Sequence, residues 1–305
     1  MANTFALILV IVTLVTGLVW LFDKFVLIRN RQANVQKAQA ALNQPLSESA
    51  IADLMKEPGW VEQCKGIFPV IAVVLVLRSF LYEPFQIPSG SMMPTLLDGD
   101  FILVNKFDYG LKDPVTNKTL IETGHPHRGD VVVFKYPVDP RIDYIKRVIG
   151  LPGDKVIFHD KELYIQQACH AQKPCPQPEK VQANFVVSGE YFQLGMPLTE
   201  YKEQLPGKTH EILRNTYLPD RVEYYYQQPG QSVGEWVVPE GHYFVMGDNR
   251  DNSQDGRFWG FVPERNLVGR AVAIWMSFDF DHPQDSVLPH WVPTGVRFNR
   301  IGSIQ

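Results

Sequence analysis

Ile87-Pro88-Ser89-Gly90-Ser91-Met92-Met93-Pro94-Thr95-Leu96 divides this 305-residue chain into two kinds of sequence. Before it lie long apolar runs. After it come short strand-like runs punctuated by Gly, Pro and Asp. The stretch itself reads as a constrained loop, because its prolines fix φ and Gly90 permits backbone angles closed to other residues. A rigid loop that presents a hydroxyl is one way to build a nucleophile. It is also an ordinary turn, so its meaning depends on what the rest of the chain brings to it.

Downstream, residues 101–104 follow the turn Asp98-Gly99-Asp100, and residues 131–134 follow Arg128-Gly129-Asp130. Residues 142–149 precede the turn Leu151-Pro152-Gly153-Asp154. Residues 155–159 and 162–166 flank Asp160-Lys161 and read as a hairpin. Residues 243–246 and 268–278 are further strand candidates. No long helical period follows Glu83. This pattern predicts a mainly β domain.

Between about Cys169 and Gly234 the composition shifts to Pro, Gln and the run Tyr224-Tyr225-Tyr226. Periodicity is weak there. The stretch reads as part of an inserted, less regular second domain, with the tyrosines in a strand or packing surface. Cys169 and Cys175 lie close enough in sequence for a small disulfide loop if this region is outside the cytoplasm. Cys64 is the third cysteine, and no Cys-x-x-Cys metal pair exists.

Upstream, residues 5–22 are apolar and uncharged, which at about 18 residues is enough to span a bilayer core. A cleaved secretion signal would need a basic start, and Met1-Ala2-Asn3-Thr4 has no Lys or Arg. Asp23-Lys24 follows instead of an Ala-x-Ala exit, so the segment reads as an uncleaved anchor. Lys24, Arg29, Arg31, Lys37, Lys56 and Lys65 then mark a cytoplasmic stretch. Residues 67–77 form a second apolar run, with Arg78 near the outer end where it can snorkel and with Trp60 and Tyr82 as interfacial aromatics. A second span here puts everything after Glu83 outside the cytoplasm. Ser91 then lies no farther than roughly 32 Å from the membrane end.

With 45% hydrophobic and 20% charged residues the chain can bury a sizeable core in one or two domains. Its net charge of −4 gives no footprint for nucleic acid.

A serine nucleophile needs a group to take its proton. His125, His127, His159, His170, His210, His242, His282 and His290 are available, but none sits in a Gly-x-Ser-x-Gly arrangement with a downstream Asp and His. His125 and His127 fall in a Gly/Pro-rich loop and read as solvated. Lysine is the other choice, provided burial lowers its pKa. Strand parity puts Lys146 on one face with Tyr144 and Val148, and Arg147 on the other. Lys106 and Lys135 are comparable on pattern alone, and spacing does not choose among the three. The polar stretch from Gly247 to Gly260 is dense in turn formers and carboxylates. A calcium loop starting at Asp251 fails, because its twelfth position is Val262 where a Glu is required.

Taken together, these stretches resemble the bacterial type I signal peptidases (leader peptidases), membrane-bound Ser/Lys endopeptidases. Residues 87–96 look like that family's nucleophile box, and residues 128–134 are similar to its next strand. Residues 144–154 look like its lysine box, and residues 247–260 are similar to its last box. The order matches over nearly the whole chain, including two spans and the Cys-x5-Cys pair.

The resemblance implies Ser91 as nucleophile and Lys146 as general base. It implies an oxyanion hole from the Ser91 backbone N–H and the Ser89 hydroxyl. Ser253 would hydrogen-bond and orient Lys146, and Asp255 and Arg257 would support that loop as a salt-bridged pair. The implied fold is a mostly antiparallel β catalytic core interrupted by a smaller β-containing domain. The corresponding divisions are a first span at 1–22, a cytoplasmic loop at 23–59 and a second span at 60–82. The core then occupies 83–153 and 240–305, around an insert at 154–239.

The resemblance also implies a place in the bacterial inner membrane, with the N-terminus and catalytic domain on the periplasmic side. The expected partners are signal-peptide-bearing preproteins cut after small residues (Ala-x-Ala), the lipid bilayer and a nearby protein export channel. Neither a metal nor an organic cofactor is expected. The self-cleaving Ser/Lys repressors share this chemistry, and the two spans argue against them. A catalytically silent membrane-tethered β module that binds exported chains is the reading from another class.

Overall fold

The computed structural model describes residues 2–42, 44–113, 119–169, 175–280, 289 and 291–304. The chain divides into two compact units, Met1–Leu81 with Lys112–Asn117, and Tyr82–Leu111 with Lys118–Gln305.

In the first unit, helix α1 (Ala2–Phe22) runs through a π-helical turn at Asp23–Leu27 into α2 (Ile28–Ala40). A short α3 (Glu48–Met55) is capped by Ser47, whose Oγ accepts from the Ala50 N–H. Helix α4 (Gly59–Val76) ends in a second π-helical turn at Leu77–Leu81. The stretches Phe5–Ala40 and Gly59–Leu81 are long and apolar enough to cross a membrane, and their apolar side chains are largely uncovered by protein. They suit membrane anchoring.

Within this unit α1 packs on α4. Trp20 stacks on Phe68 with ring centroids 5.5 Å apart, and Gly17 leaves room for that ring. Buried Asp23 accepts from Arg31 at 2.8 Å and Lys65 at 3.1 Å. The polar stretch from residue 23 stays helical to Ala40. Its Gln, Ala, Lys and Arg are good helix formers, and the Asp23–Arg31 pair links positions about two turns apart.

The second unit is mainly β. Its large sheet contains β1 (Tyr82–Gln86), β2 (Asp100–Asn105), β3 (Val131–Lys135) and β4 (Asp143–Gly150). A hairpin of β5 (Lys155–His159) and β6 (Glu162–Gln166) follows. Next come β7 (Gln182–Gln193), β8 (Met196–Leu205) and β9 (Lys208–Arg214). The chain returns through β10 (Glu235–Val237) and β11 (His242–Met246) to β12 (Leu267–Asp279). The large sheet is ordered β1-β2-β12-β3-β4-β11, with β7-β8-β9 and β10-β5-β6 in two smaller sheets. The pairings between these strands are antiparallel.

Burial explains the sequence pattern. In β2 buried positions alternate with half-buried ones, as a strand with one face on the core requires. In β3 the run Val131-Val132-Val133-Phe134 is buried on both faces, so it reads as continuous apolar sequence. One core gathers Ile87, Met92, Leu96, Ile102, Val104 and Val131 beneath the loop of residues 87–96. Another joins Val156, Phe158, Leu163 and Trp236 of the smaller sheet to Phe244 and Met246 of β11, with Trp236 stacked on Phe244 at 4.8 Å. The smaller sheet thus shares its core with the large one.

The hairpin at Asp160-Lys161 forms as expected, with both residues at positive φ (47° and 62°), the geometry of a tight two-residue turn. The stretch read as irregular instead holds the meander β7–β8–β9, and β7 alone has 12 residues. The alternation that would announce it is missing, because β7 is an edge strand whose residues are all exposed or half-buried. Leu194 and Gly195 make its turn at φ 50° and 79°. The tyrosine run is no strand. Val222–Tyr224 is a 3₁₀ turn, Tyr225 is buried against Trp236, and Tyr226 packs on Phe261. Cys169 and Cys175 are joined by a disulfide with their Cα atoms 4.8 Å apart, and Cys64 is free.

Candidate active site

The loop after β1 is pinned at both ends. Ile87 donates its N–H to the Asp100 carbonyl at 2.8 Å, and Met92 and Leu96 are sunk completely in the core. Between these anchors one 3₁₀ turn (Gly90–Met92) lifts Ser91 to the surface of a groove. Strand β4 brings Lys146 to the same place. Its Nζ lies 2.7 Å from Ser91 Oγ and donates to the Ile145 carbonyl at 2.9 Å. The Tyr144 ring, on the same face by strand parity, lies 5.4 Å from Nζ.

Lys146 is 4% exposed. Burial pushes its pKa down to about 8, opposed by the negative charges of Asp255 and Asp248 and aided by Arg257. The other lysines left open by pattern are engaged elsewhere. Lys106 pairs with Glu83 at 3.1 Å, and Lys135 pairs with Asp143 at 2.8 Å. His125 and His127 are largely exposed, and no histidine is among the described residues lining the groove.

The opposite face of β4 holds Arg147, which is fully buried. It grips Asp248 through Nε at 2.9 Å and Nη2 at 2.7 Å, and Nη1 donates to the Gly129 carbonyl at 2.8 Å. Thr95 adds its hydroxyl to the same carboxylate at 2.6 Å. Burial pushes the Asp248 carboxyl up most strongly, but the Arg147 charge, the Arg147 hydrogen bonds and the Thr95 hydroxyl act together against it and hold the pKa below the usual value.

The stretch following β11 closes the site from a third side. Asp255 accepts from the Gly247 N–H at 3.0 Å, caps the one-turn helix α5 (Gly256–Trp259), and pairs with Arg257 through two 2.9 Å contacts. Asn249 donates its backbone N–H to the Ser91 carbonyl at 3.2 Å and its side-chain amide to the Gly90 carbonyl at 3.0 Å. Gly247 has no room for a side chain: a Cβ there would stand 2.5 Å from the Ser91 carbonyl oxygen.

The Ser89 hydroxyl is 3.5 Å from Ser91 Oγ, beside the place where a carbonyl would be attacked. Ser253 does not hydrogen-bond Lys146. Its buried Oγ lies against Gly247 and faces the Asp255 carboxylate, which it helps to hold below the usual pKa. The lysine meets Ser91 and the Ile145 carbonyl instead. The role of Asn249 is not readable in the sequence, because only contact across about 160 positions reveals it. The Arg147–Asp248 pair was half legible, since parity gave the face of Arg147 but no partner.

The groove has a volume of about 340 Å³ and is lined beside Ser91 and Lys146 by Pro88, Ile142, Tyr144, Ile145, Asn252 and Gln254. A hydroxyl, a partly neutral amine and an apolar wall suit attack on a carbonyl of an extended chain. Among the described residues no group of three or more His, Cys, Asp or Glu side chains is placed to hold a metal ion.

Comparison with known proteins gives a consistent result. The profile of the family described as Signal peptidase, peptidase S26, matches residues 60–276. Signal peptidase I of Buchnera aphidicola subsp. Acyrthosiphon pisum is 43% identical over 324 residues, covering 100% of both chains. Signal peptidase I of Pseudomonas fluorescens is 45% identical over 316 residues, again covering 100% of both. A crystal structure of a signal peptidase I from Enterococcus faecalis V583 aligns with 49% of this chain and 98% of that one, at 24% identity and a TM-score of 0.27.

Proposed function

The chain belongs to the signal peptidase family, peptidase S26, and from that premise we propose that it removes signal peptides from exported preproteins with Ser91 as nucleophile and Lys146 as general base. The observation that carries this is the 2.7 Å approach of Lys146 Nζ to Ser91 Oγ, by an amine whose pKa burial has lowered to about 8.

Neutral Lys146 takes the Ser91 proton as Oγ bonds to the scissile carbonyl carbon. The ammonium then gives that proton to the leaving amine as the C–N bond breaks, leaving an ester on Ser91. Water, deprotonated by Lys146, hydrolyses the ester. The Ser91 N–H and the Ser89 hydroxyl stabilise the oxyanion, and losing one such donor costs about 10²–10³ in turnover. Asp255 and Arg257 act on the lysine with opposite sign, so their pairing leaves burial as the dominant influence. Ser253 supports the turn at Gly247 rather than the amine itself. The shallow apolar wall formed by Ile142, Tyr144 and Ile145 accommodates small side chains, in keeping with Ala-x-Ala sites.

The basic stretch after α1 faces the cytoplasm in this reading. The N-terminus and the β unit then lie on the periplasmic side of the bacterial inner membrane, near the export channel. Residues 154–239 are an insert in a core formed by 83–153 and 240–305. The substrate is itself held at the bilayer, within reach of Ser91.

The test uses detergent-solubilised full-length protein and a preprotein with one Ala-x-Ala site, with products followed by mass. A single cut after the final alanine, absent in Ser91→Ala, is the expected result. No cut by the folded wild-type protein would favour a silent binding module, and a cut surviving Ser91→Ala would exclude Ser91 as nucleophile.

A further inference from the structure

Behind the groove lies a buried ionic cluster that the chemistry above does not use, and half of it comes from the meander β7–β8–β9. Glu203 on β8 is fully buried and takes both terminal nitrogens of Arg250: Nη1 donates to Oε1 at 2.8 Å, and Nη2 to Oε2. His210, its cross-strand partner on β9, sets Nε2 3.3 Å from the same carboxylate and 3.8 Å from Asp248. Burial and the nearby Arg147 charge push the His210 pKa down, so the ring stays neutral. Arg214 approaches Glu203 at 3.8 Å from the end of β9.

The backbone follows the side chains. Leu213 on β9 donates to the Asp248 carbonyl and accepts from the Arg250 N–H, both at 2.9 Å, and bridges Asn249 in parallel. Asn215 donates its N–H to Asp251 at 2.7 Å, and Lys161 at the β5–β6 turn pairs with the same carboxylate. Residues 248–251 are therefore clamped by strands of the insert on one side. On the other side Asn249 holds the Gly90 and Ser91 carbonyls.

We propose that Glu203 is a positioning residue: through Arg250 and β9 it fixes the loop whose Asn249 sets the Gly90–Ser91 backbone, and so holds Ser91 Oγ against Lys146. The inference rests on the Ser91/Lys146 reading. A forked guanidinium–carboxylate pair fixes orientation as well as distance. Buried, such a pair adds little net stability against an apolar replacement, so its contribution is geometric. Without the Glu203 charge, Arg250 is left in a low-dielectric interior and its displacement drags Asn249, its chain neighbour. The insert thus completes the site rather than decorating the core.

The test measures kcat and KM separately on the Ala-x-Ala preprotein with full-length protein. Glu203→Gln lowers kcat about 10- to 100-fold, the scale of a displacement near 1 Å, with KM within about twofold. Near-ultraviolet circular dichroism checks its fold. Leu163→Ala is the stability control. It opens a cavity in the core that the smaller sheet shares with β11, without removing a group from the cluster, and it keeps wild-type kcat below its unfolding transition. If Glu203→Gln does not fold, Lys161→Met carries the same test from the partly exposed side of the clamp and lowers kcat severalfold. A folded Glu203→Gln with wild-type kcat overturns the proposal, as does an equal kcat loss in Leu163→Ala. Absence of Ser91-dependent cleavage by the wild type is a different result, which removes the peptidase reading and this inference with it.

Discussion

The two faces of strand β4 bury neighbouring basic residues and treat them in opposite ways. Arg147 meets a carboxylate through two nitrogens, a carbonyl through a third, and a threonine hydroxyl at 3.2 Å. Its charge is fully compensated. Lys146, one residue earlier and nearly as buried, hydrogen-bonds a serine hydroxyl and one carbonyl and has no carboxylate in contact among the described residues. Asp255 and Asp248 act on it through space, not through contact. A buried guanidinium keeps its proton and is given partners for its charge, whereas a buried amine with few partners is pushed toward its neutral form. On this reading, compensation is complete where the fold needs a fixed scaffold and withheld where the chemistry needs a base.

Replacing each residue by methionine separates the two faces. Lys146→Met removes the base and lowers turnover by about 10²–10⁴, while its urea midpoint holds or rises because an under-partnered amine has left the interior. A marked loss of stability would mean that Lys146 is as structural as Arg147. Arg147→Met strands the buried Asp248 carboxylate and destabilises the fold by about 3–5 kcal/mol in urea unfolding. A near-neutral result there would dissolve the contrast.

A smaller effect comes from pH. The folded-state pKa of Lys146 is depressed from 10.5 to about 8, so between these values the unfolded chain binds the extra proton. Stability then rises with pH across that window. Below about pH 8 the full cost of burying the ammonium is present, and above about pH 10.5 it is gone. The gain is about 3 kcal/mol and is read as the difference between wild type and Lys146→Met, so that tyrosines titrating in the same range cancel. A difference that stays flat from pH 7 to 11 would contradict a depressed lysine.

Much of this contrast was visible in the sequence. Strand parity set Lys146 and Arg147 on opposite faces, and turn residues marked the ends of β2, β3 and β4. The Asp160-Lys161 hairpin and both apolar helices were legible for the same reason: their signals are local. The choice of Lys146 over Lys106 and Lys135 was not local, since it depends on a contact between residues 55 positions apart. The meander was hidden because β7 lacks a fully buried face to impose alternation. The Asn249 contacts and the Glu203–Arg250 pair join distant segments with no shared motif. Ser253 is the instructive miss: its box resembles the family's, yet its hydroxyl turns to Gly247 and Asp255, not to the lysine.

The decisive measurement is the pH dependence of kcat/KM on a single Ala-x-Ala preprotein, which reports the ionisation of the free enzyme. Activity should rise with pH, reach half its maximum near pH 8 and level off above it, following the neutral amine of Lys146. A profile already flat from pH 6 upward, or one still climbing at pH 10 like an ordinary lysine, would contradict a base prepared by burial beside Ser91.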